Sequence, residues 1–198
     1  MHKIILASQS PRRKQLLQQA EIEFEVLVAD VDETNPRGMP GTEVPVYLAK
    51  MKADAVQHLA ADAIVIAADT VVLLDDKVLG KPRDAEDARD MLRQLSGRMH
   101  TVVTGVCIQS DSKQISFSTE TKVYFRSLTR EQIAYYVESY KPFDKAGAYA
   151  IQEWIGMIGI EKINGDYYNV MGLPIGEVVA FLKHDFLDEE EETPIDAL

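Results

Sequence analysis

Two stretches of this chain hold side chains suited to gripping an anion and to handling a proton or a cation beside it. The first is Ser8-Gln9-Ser10-Pro11-Arg12-Arg13, between a β-branched apolar run (Lys3 to Ala7) and a helix expected over about 11–20. At such a junction, unpaired backbone N–H groups and the helix dipole favour negative charge. Two guanidinium forks there can take phosphate oxygens in pairs. A plainer reading stays open on the pattern alone, in which Ser10 caps the helix and both arginines are solvated. The second stretch is Ala67-Ala68-Asp69-Thr70, an acid ending a strongly apolar run. A carboxylate at the edge of a buried strand is where α/β proteins place ligand-binding groups. Asp69 can hold a divalent cation through oxygen, orient and deprotonate a water, or simply cap a turn.

Other candidates are single charges. Asp32 and Glu33, in the loop after a second expected strand, are possible further oxygen ligands. Lys81 in Gly80-Lys81-Pro82 is flanked by residues that fix a tight backbone approach. Lys52 lies on an expected long helix and would ordinarily be a solvated charge. Asp144-Lys145-Ala146-Gly147-Ala148-Tyr149-Ala150-Ile151-Gln152 is rich in small residues that admit close backbone contact, with Gln152 able to read an amide-like edge. The scattered histidines (His2, His58, His100, His184) have no zinc spacing, and the single cysteine, Cys107, allows neither an internal disulfide nor a cysteine cage. There is no P-loop, no dinucleotide fingerprint and no Gly-x-Ser-x-Gly elbow.

The elements that must position these groups follow from patterning. Ser10-Pro11 gives a cap and a first-turn proline, and Phe24 to Val28 reads as a second strand. Thr42 can cap a long helix carrying Val46, Leu48, Ala49, Ala53 and Val56. Ala63 to Ala68 and Thr70 to Leu74 form one apolar run, turned at Asp75-Asp76 into a short return strand at 77–79. Asp84 caps an amphipathic helix stopped by Gly97, and His100 to Gln109 and Ile115 to Phe125 read as two long paired strands. Thr129 and Gln132 make a capping box, and Met157 to Ile163 reads as a further strand before a last helix opening at Pro174. Alternating elements early and long hairpin-like strands in the middle imply an α/β fold with a mixed sheet.

The chain has 198 residues, within reach of one domain at roughly 150 residues each. We read 1–186 as that domain and 187–198, with its run Asp188 to Glu192, as an acidic, solvated and disordered tail. The net charge of -11 disfavours nucleic-acid and anionic-membrane partners. Residues 1–20 nonetheless carry Lys3, Arg12, Arg13 and Lys14 with no acid, a cationic island suited to a small anionic ligand. No apolar run approaches the roughly 18 residues of a membrane span, and the N-terminal apolar run is too short for a secretion signal. The expectation is a soluble, cytoplasmic protein.

Taken in order, Leu6-Ala7-Ser8-Gln9-Ser10-Pro11-Arg12-Arg13, Ala68-Asp69-Thr70, Gly80-Lys81-Pro82-Arg83-Asp84, Leu95-Ser96-Gly97, Asp144 to Gln152 and Gly172-Leu173-Pro174 resemble the Maf family of nucleoside triphosphate pyrophosphatases. The resemblance runs from Ile4 to about Leu182. It implies an elongated mixed β-sheet with flanking helices and two lobes around a central cleft, a Maf/ITPase-like architecture. It also implies hydrolysis of a nucleoside triphosphate to monophosphate and pyrophosphate with a divalent cation, Mg²⁺ or Mn²⁺. Asp144 to Gln152 is similar to the branch acting on dTTP and UTP; the alternative branch takes 7-methyl-GTP. On this resemblance Asp69 is the catalytic base and, with Glu33, a metal ligand. Arg12, Thr70 and Gln152 set specificity, and Ser8, Arg13, Lys52 and Lys81 bind substrate. One departure is Gln152-Glu153-Trp154, where a glycine-rich continuation is more usual and a bulky Trp154 is expected beside the base pocket. A nucleotide-binding regulator of cell division is the rival function, and a homodimer is the expected assembly.

Overall fold

The computed structural model describes residues 3–34, 38–75 and 77–187. The acidic run from Asp188, Asp76 of the expected turn, His2, and Asn35 to Arg37 lie outside the described residues.

The apolar runs pair into one mixed sheet. Its strands are β1 (Lys3–Leu6), β2 (Glu25–Val26), β3 (Ala63–Leu74), β4 (Lys77–Leu79), β5 (Met99–Gln109), β6 (Gln114–Phe125) and β7 (Ile160–Asn164), in the order β2-β1-β3-β5-β6-β7 with β4 beside β3. β1 runs parallel to β2 and β3, while β3, β5, β6 and β7 are successively antiparallel. Alternation along β3 sorts its side chains. Ala63, Val65, Ala67, Val71 and Leu73 face one side, and Ile64, Ile66, Ala68, Val72 and Leu74 the other. Both faces of this central strand are buried, which explains its nearly unbroken apolar sequence.

Among the described residues the first face is covered by one helix, α2 (Val44–Gln57), through Val44, Leu48, Ala49, Ala53 and Val56. The second face carries the larger core, built with α1 (Pro11–Gln19), α3 (Ala85–Leu95), α4 (Arg130–Tyr140), α5 (Trp154–Gly159), α6 (Tyr167–Met171) and α7 (Ile175–Phe181). Gly105 of β5 sets the height of α2. A Cβ there would sit 2.2 Å from Val46 N and 2.3 Å from Pro45 C, so only glycine lets the helix lie directly on the strand.

Local signals hold where the chemistry is local. Ser10 caps α1 with Pro11 at its start, Asp84 caps α3, and Thr129 with Gln132 closes a capping box on α4. Four expectations are corrected. Strand pairing at 24–28 is confined to Glu25–Val26, opposite Ile5 and Leu6, where β1 ends. Glu43, without a side-chain cap bond, rather than Thr42, precedes α2. Met157 to Ile163 divides into the end of α5 and β7, with Met157 74% exposed on the helix. The short α6, capped by Asp166, is an additional helix.

Candidate active site

β3 is paired along one edge with β5 from Val65 to Leu73. Its other edge is shared. β1 covers Ala63 to Ile66, closing with Ala7 N on Ile66 O at 2.8 Å, and β4 covers Val72 to Leu74. The gap between β1 and β4 leaves Asp69 and Thr70 at an open edge, which forms the floor of a cleft of about 1000 Å³. That is ample for a small ligand. The cleft wall includes Ser8, Arg12, Arg13, Glu33, Lys52, Asp69, Thr70, Lys81, Lys145 and Tyr149, so segments far apart in sequence converge there.

Asp69 points toward α2. Its Oδ1 accepts from Lys52 Nζ at 2.8 Å, and the same ammonium lies 2.8 Å from Glu33 Oε1. Lys52 and Asp69 are mostly shielded, their side chains 13% and 15% exposed, so this lysine is no solvated helix charge. Burial works to raise the Glu33 pKa, but the hydrogen bond and charge of Lys52, aided by Lys81 and Arg13, outweigh it and hold the carboxyl below its ordinary value. Two carboxylates thus converge on one positive charge. Carboxylate oxygens of this kind suit Mg²⁺ or Mn²⁺, which characteristically take one or two protein carboxylates plus substrate phosphates. Among the described residues no group of three or more His, Cys, Asp or Glu side chains forms a metal cage.

Thr70, one residue on, faces the opposite side of the sheet and meets Arg13. The Arg13 guanidinium is buried, and three of its N–H groups are already placed: Nε donates to Gly172 O at 2.7 Å, Nη1 to Ser8 Oγ at 3.1 Å and Nη2 to Thr70 Oγ1 at 3.0 Å. Burial lowers its pKa, as does neighbouring Arg12, while Asp69 and Glu33 oppose the shift. An arginine stays charged through such a shift. Gly172 ends α6 at φ +116°, a left-handed conformation that glycine adopts freely, and this turns its carbonyl toward Arg13.

The far wall is the 144–150 segment. Asp144 joins Arg12 Nη1 at 3.3 Å to Lys145 Nζ at 2.7 Å, and Lys145 also approaches Glu153 Oε1 at 3.5 Å. Glu153 accepts from Tyr136 OH, which itself accepts from Ala150 N at 3.2 Å. Tyr149 reaches through the wall to His100 Nε2 at 2.7 Å. Gln152 is exposed and is not part of the wall. Trp154 packs edge-on against Tyr135, centroids 4.9 Å apart, rather than beside the cleft. Beyond the residues expected from sequence, the structure adds Lys145 and a buried polar chain through Thr104 and Asn169. The wall lysine was visible inside the quoted motif, whereas Thr104 had no signal except its place opposite Thr70.

The sequence profile described as Maf-like protein matches residues 3–185. The chain belongs to the Maf family. Three Maf relatives, each called a dTTP/UTP pyrophosphatase, lie at comparable distance. That of Cytophaga hutchinsonii is 50% identical over 98% of this chain and 89% of its own. That of Parabacteroides distasonis is 50% identical over 92% and 96%, and that of Porphyromonas gingivalis 51% identical over 88% and 89%. Among solved structures, the Staphylococcus aureus Ham1 protein aligns at a TM-score of 0.49 and 17% identity, covering 92% of this chain and 98% of that one. Among the described residues of this Maf protein, no helix is long and apolar enough to cross a membrane.

Proposed function

We propose that this Maf protein hydrolyses dTTP and UTP to the nucleoside monophosphate and pyrophosphate, by attack of water on the α-phosphorus. The observation that carries the reaction is the convergence of Asp69 and Glu33 on Lys52, on the same open strand edge that holds Arg13. The relatives named dTTP/UTP pyrophosphatase, near 50% identity over most of both chains, support the choice of nucleotide.

Phosphoryl chemistry needs mainly positioning and charge neutralisation, because the transition state spreads negative charge over several oxygens. Arg13, with three N–H groups fixed by the protein, keeps two of the five for phosphate oxygens and pays little ordering entropy on binding. Arg12, held loosely by Asp144, is free to exchange that carboxylate for phosphate. Lys81 adds charge from the loop after β4. Asp69 accepts the proton of the attacking water, and pyrophosphate departs toward the arginines and lysines. Glu33 and Asp69 are the residues that would hold a divalent cation, whose chemistry is to neutralise the phosphates and lower the pKa of water. Gln152, exposed two residues beyond the 144–150 wall, contributes to the choice of base once nucleotide is bound.

A pyrophosphate-release panel tests this reading, with Mg²⁺ and dTTP, UTP, CTP, 7-methyl-GTP and the purine triphosphates, and Asp69→Asn as control. Fast release on dTTP and UTP, lost in the variant, is expected. Preference for 7-methyl-GTP overturns the substrate assignment, and no turnover from folded protein overturns the reaction.

A further inference from the structure

Beneath Arg13 two hydroxyls lie in line, Thr70 half-buried and Thr104 fully buried. Arg13 Nη2 donates to Thr70 Oγ1 at 3.0 Å, Thr70 Oγ1 and Thr104 Oγ1 lie 2.9 Å apart, and Thr104 Oγ1 lies 3.1 Å from the main-chain oxygen of Asn169. A hydroxyl carries one proton, and a carbonyl oxygen only accepts. The Thr104 proton is therefore committed to Asn169. The contact between the two hydroxyls must then use the Thr70 proton. What Thr70 presents to Arg13 is a lone pair. Donation runs one way along the whole line, from Arg13 through Thr70 and Thr104 to Asn169.

The far end of this line is firmly anchored. Asn169 is fully buried, and its side-chain amide donates to Thr121 Oγ1 at 2.9 Å and Val102 O at 3.2 Å. Its main-chain oxygen also accepts from Gly172 N at 2.9 Å, so it keeps a partner if Thr104 is lost. Thr70 has no such reserve: without Thr104 its proton loses its partner, and the hydroxyl is no longer held in the rotation that meets Arg13.

We infer that Thr104, a fully buried residue of β5 opposite Thr70, is a positioning residue for nucleotide binding: by accepting the Thr70 proton it fixes the rotation of that hydroxyl, whose lone pair receives the Arg13 N–H, and so steadies the Arg13 fork toward the phosphates. This rests on Arg13 being a phosphate ligand.

Steady-state kinetics with dTTP and UTP, alongside thermal midpoints, test it on Thr104→Val, Thr104→Ser, Thr70→Val and the Thr70→Val/Thr104→Val pair. Valine keeps the shape and removes the hydroxyl. Loss of about one hydrogen bond predicts a rise in KM of roughly fivefold to tenfold for Thr104→Val, with kcat within about twofold. Thr104→Ser, which restores the hydroxyl, recovers most of the KM. In the Thr70→Val background, Thr104→Val adds less than about twofold, because its target is already gone. Wild-type KM in folded Thr104→Val, a serine variant as impaired as valine, or additive effects in the pair each overturn the inference. If Thr70→Val is itself silent in an active enzyme, Thr70 does not position Arg13 and the inference falls while the proposed reaction stands. If Thr70→Val is impaired and Thr104→Val is not, the inference alone fails.

Discussion

Asp69→Asn separates catalysis from stability, and the structure allows both effects to be sized. The amide has the shape of the carboxylate and keeps an oxygen that accepts from Lys52 at the present 2.8 Å. Lys52 is not stranded, because Glu33 lies at the same distance on its other side. What is lost is the difference between a charged and a neutral acceptor in a mostly shielded pair, about 1 kcal/mol. For a domain of this size that corresponds to a fall in Tm of about 2–4 °C. The effect on turnover is far larger. Asparagine cannot take a proton from water, and removing a positioned general base costs on the order of 10²–10⁴ in kcat, or about 3–5 kcal/mol of barrier. KM should stay within a few-fold, since the Arg13 contacts lie on the other face of the sheet. The assay is pyrophosphate release from dTTP across substrate concentration, with melting followed on the same preparations. A folded Asp69→Asn protein with kcat within tenfold of wild type refutes the proton-transfer role. A loss lying wholly in KM refutes it too and leaves Asp69 a binding group.

Three further outcomes are expected. Gly105→Ala drives a Cβ into the Pro45–Val46 backbone, lifting α2 and Lys52 from β3, so stability should fall by about 3 kcal/mol or more and activity with it; chemical denaturation and turnover check this. Burial holds His100 neutral with its pKa pushed down to about 4. The unfolded chain takes up that proton near pH 6.5 and the folded one does not. Stability should therefore drop between pH 6.5 and 4, by on the order of 3 kcal/mol, and His100→Gln should flatten the slope in urea titrations at several pH values. Gln152→Ala should change the ranking of dTTP, UTP and CTP more than the rate on the best of them; an unaltered ranking in competition assays removes Gln152 from base selection.

How much of this was legible in the sequence depends on how local the determining physics is. The caps at Ser10, Asp84 and Thr129 involve groups within three residues of one another, and each was readable. So was β3, since a strand buried on both faces must be apolar throughout and the polar pair Asp69-Thr70 stands out within it. The run 157–163 was ambiguous because helix and strand both accept short apolar stretches. The close approach of Gly156 to Ile151 O, where a Cβ would come within 1.8 Å, marks the tight start of α5 and carries no periodicity by which the run could be divided. Lys52 looked like a surface charge, because nothing along its helix reveals that Glu33 and Asp69 approach from two other segments. Thr104 required the β3–β5 register, which patterning does not supply. Gln152 is expected to set specificity as the last member of a motif whose earlier members Asp144, Lys145, Ala146, Tyr149 and Ala150 are the ones that line the cleft.

That pairing of β3 with β5 has a consequence for how the chain can vary. Asp69 sits opposite Gly105 and Thr70 opposite Thr104. Adjacent strand residues point to opposite sides, so a slip of a single residue inverts the pair. The carboxylate would turn to Arg13 and the hydroxyl to Lys52. An insertion or deletion that shifts the register at Asp69-Thr70 is therefore expected to disable the site in one step rather than by degrees. Substitutions on the cleft wall remain open to gradual change.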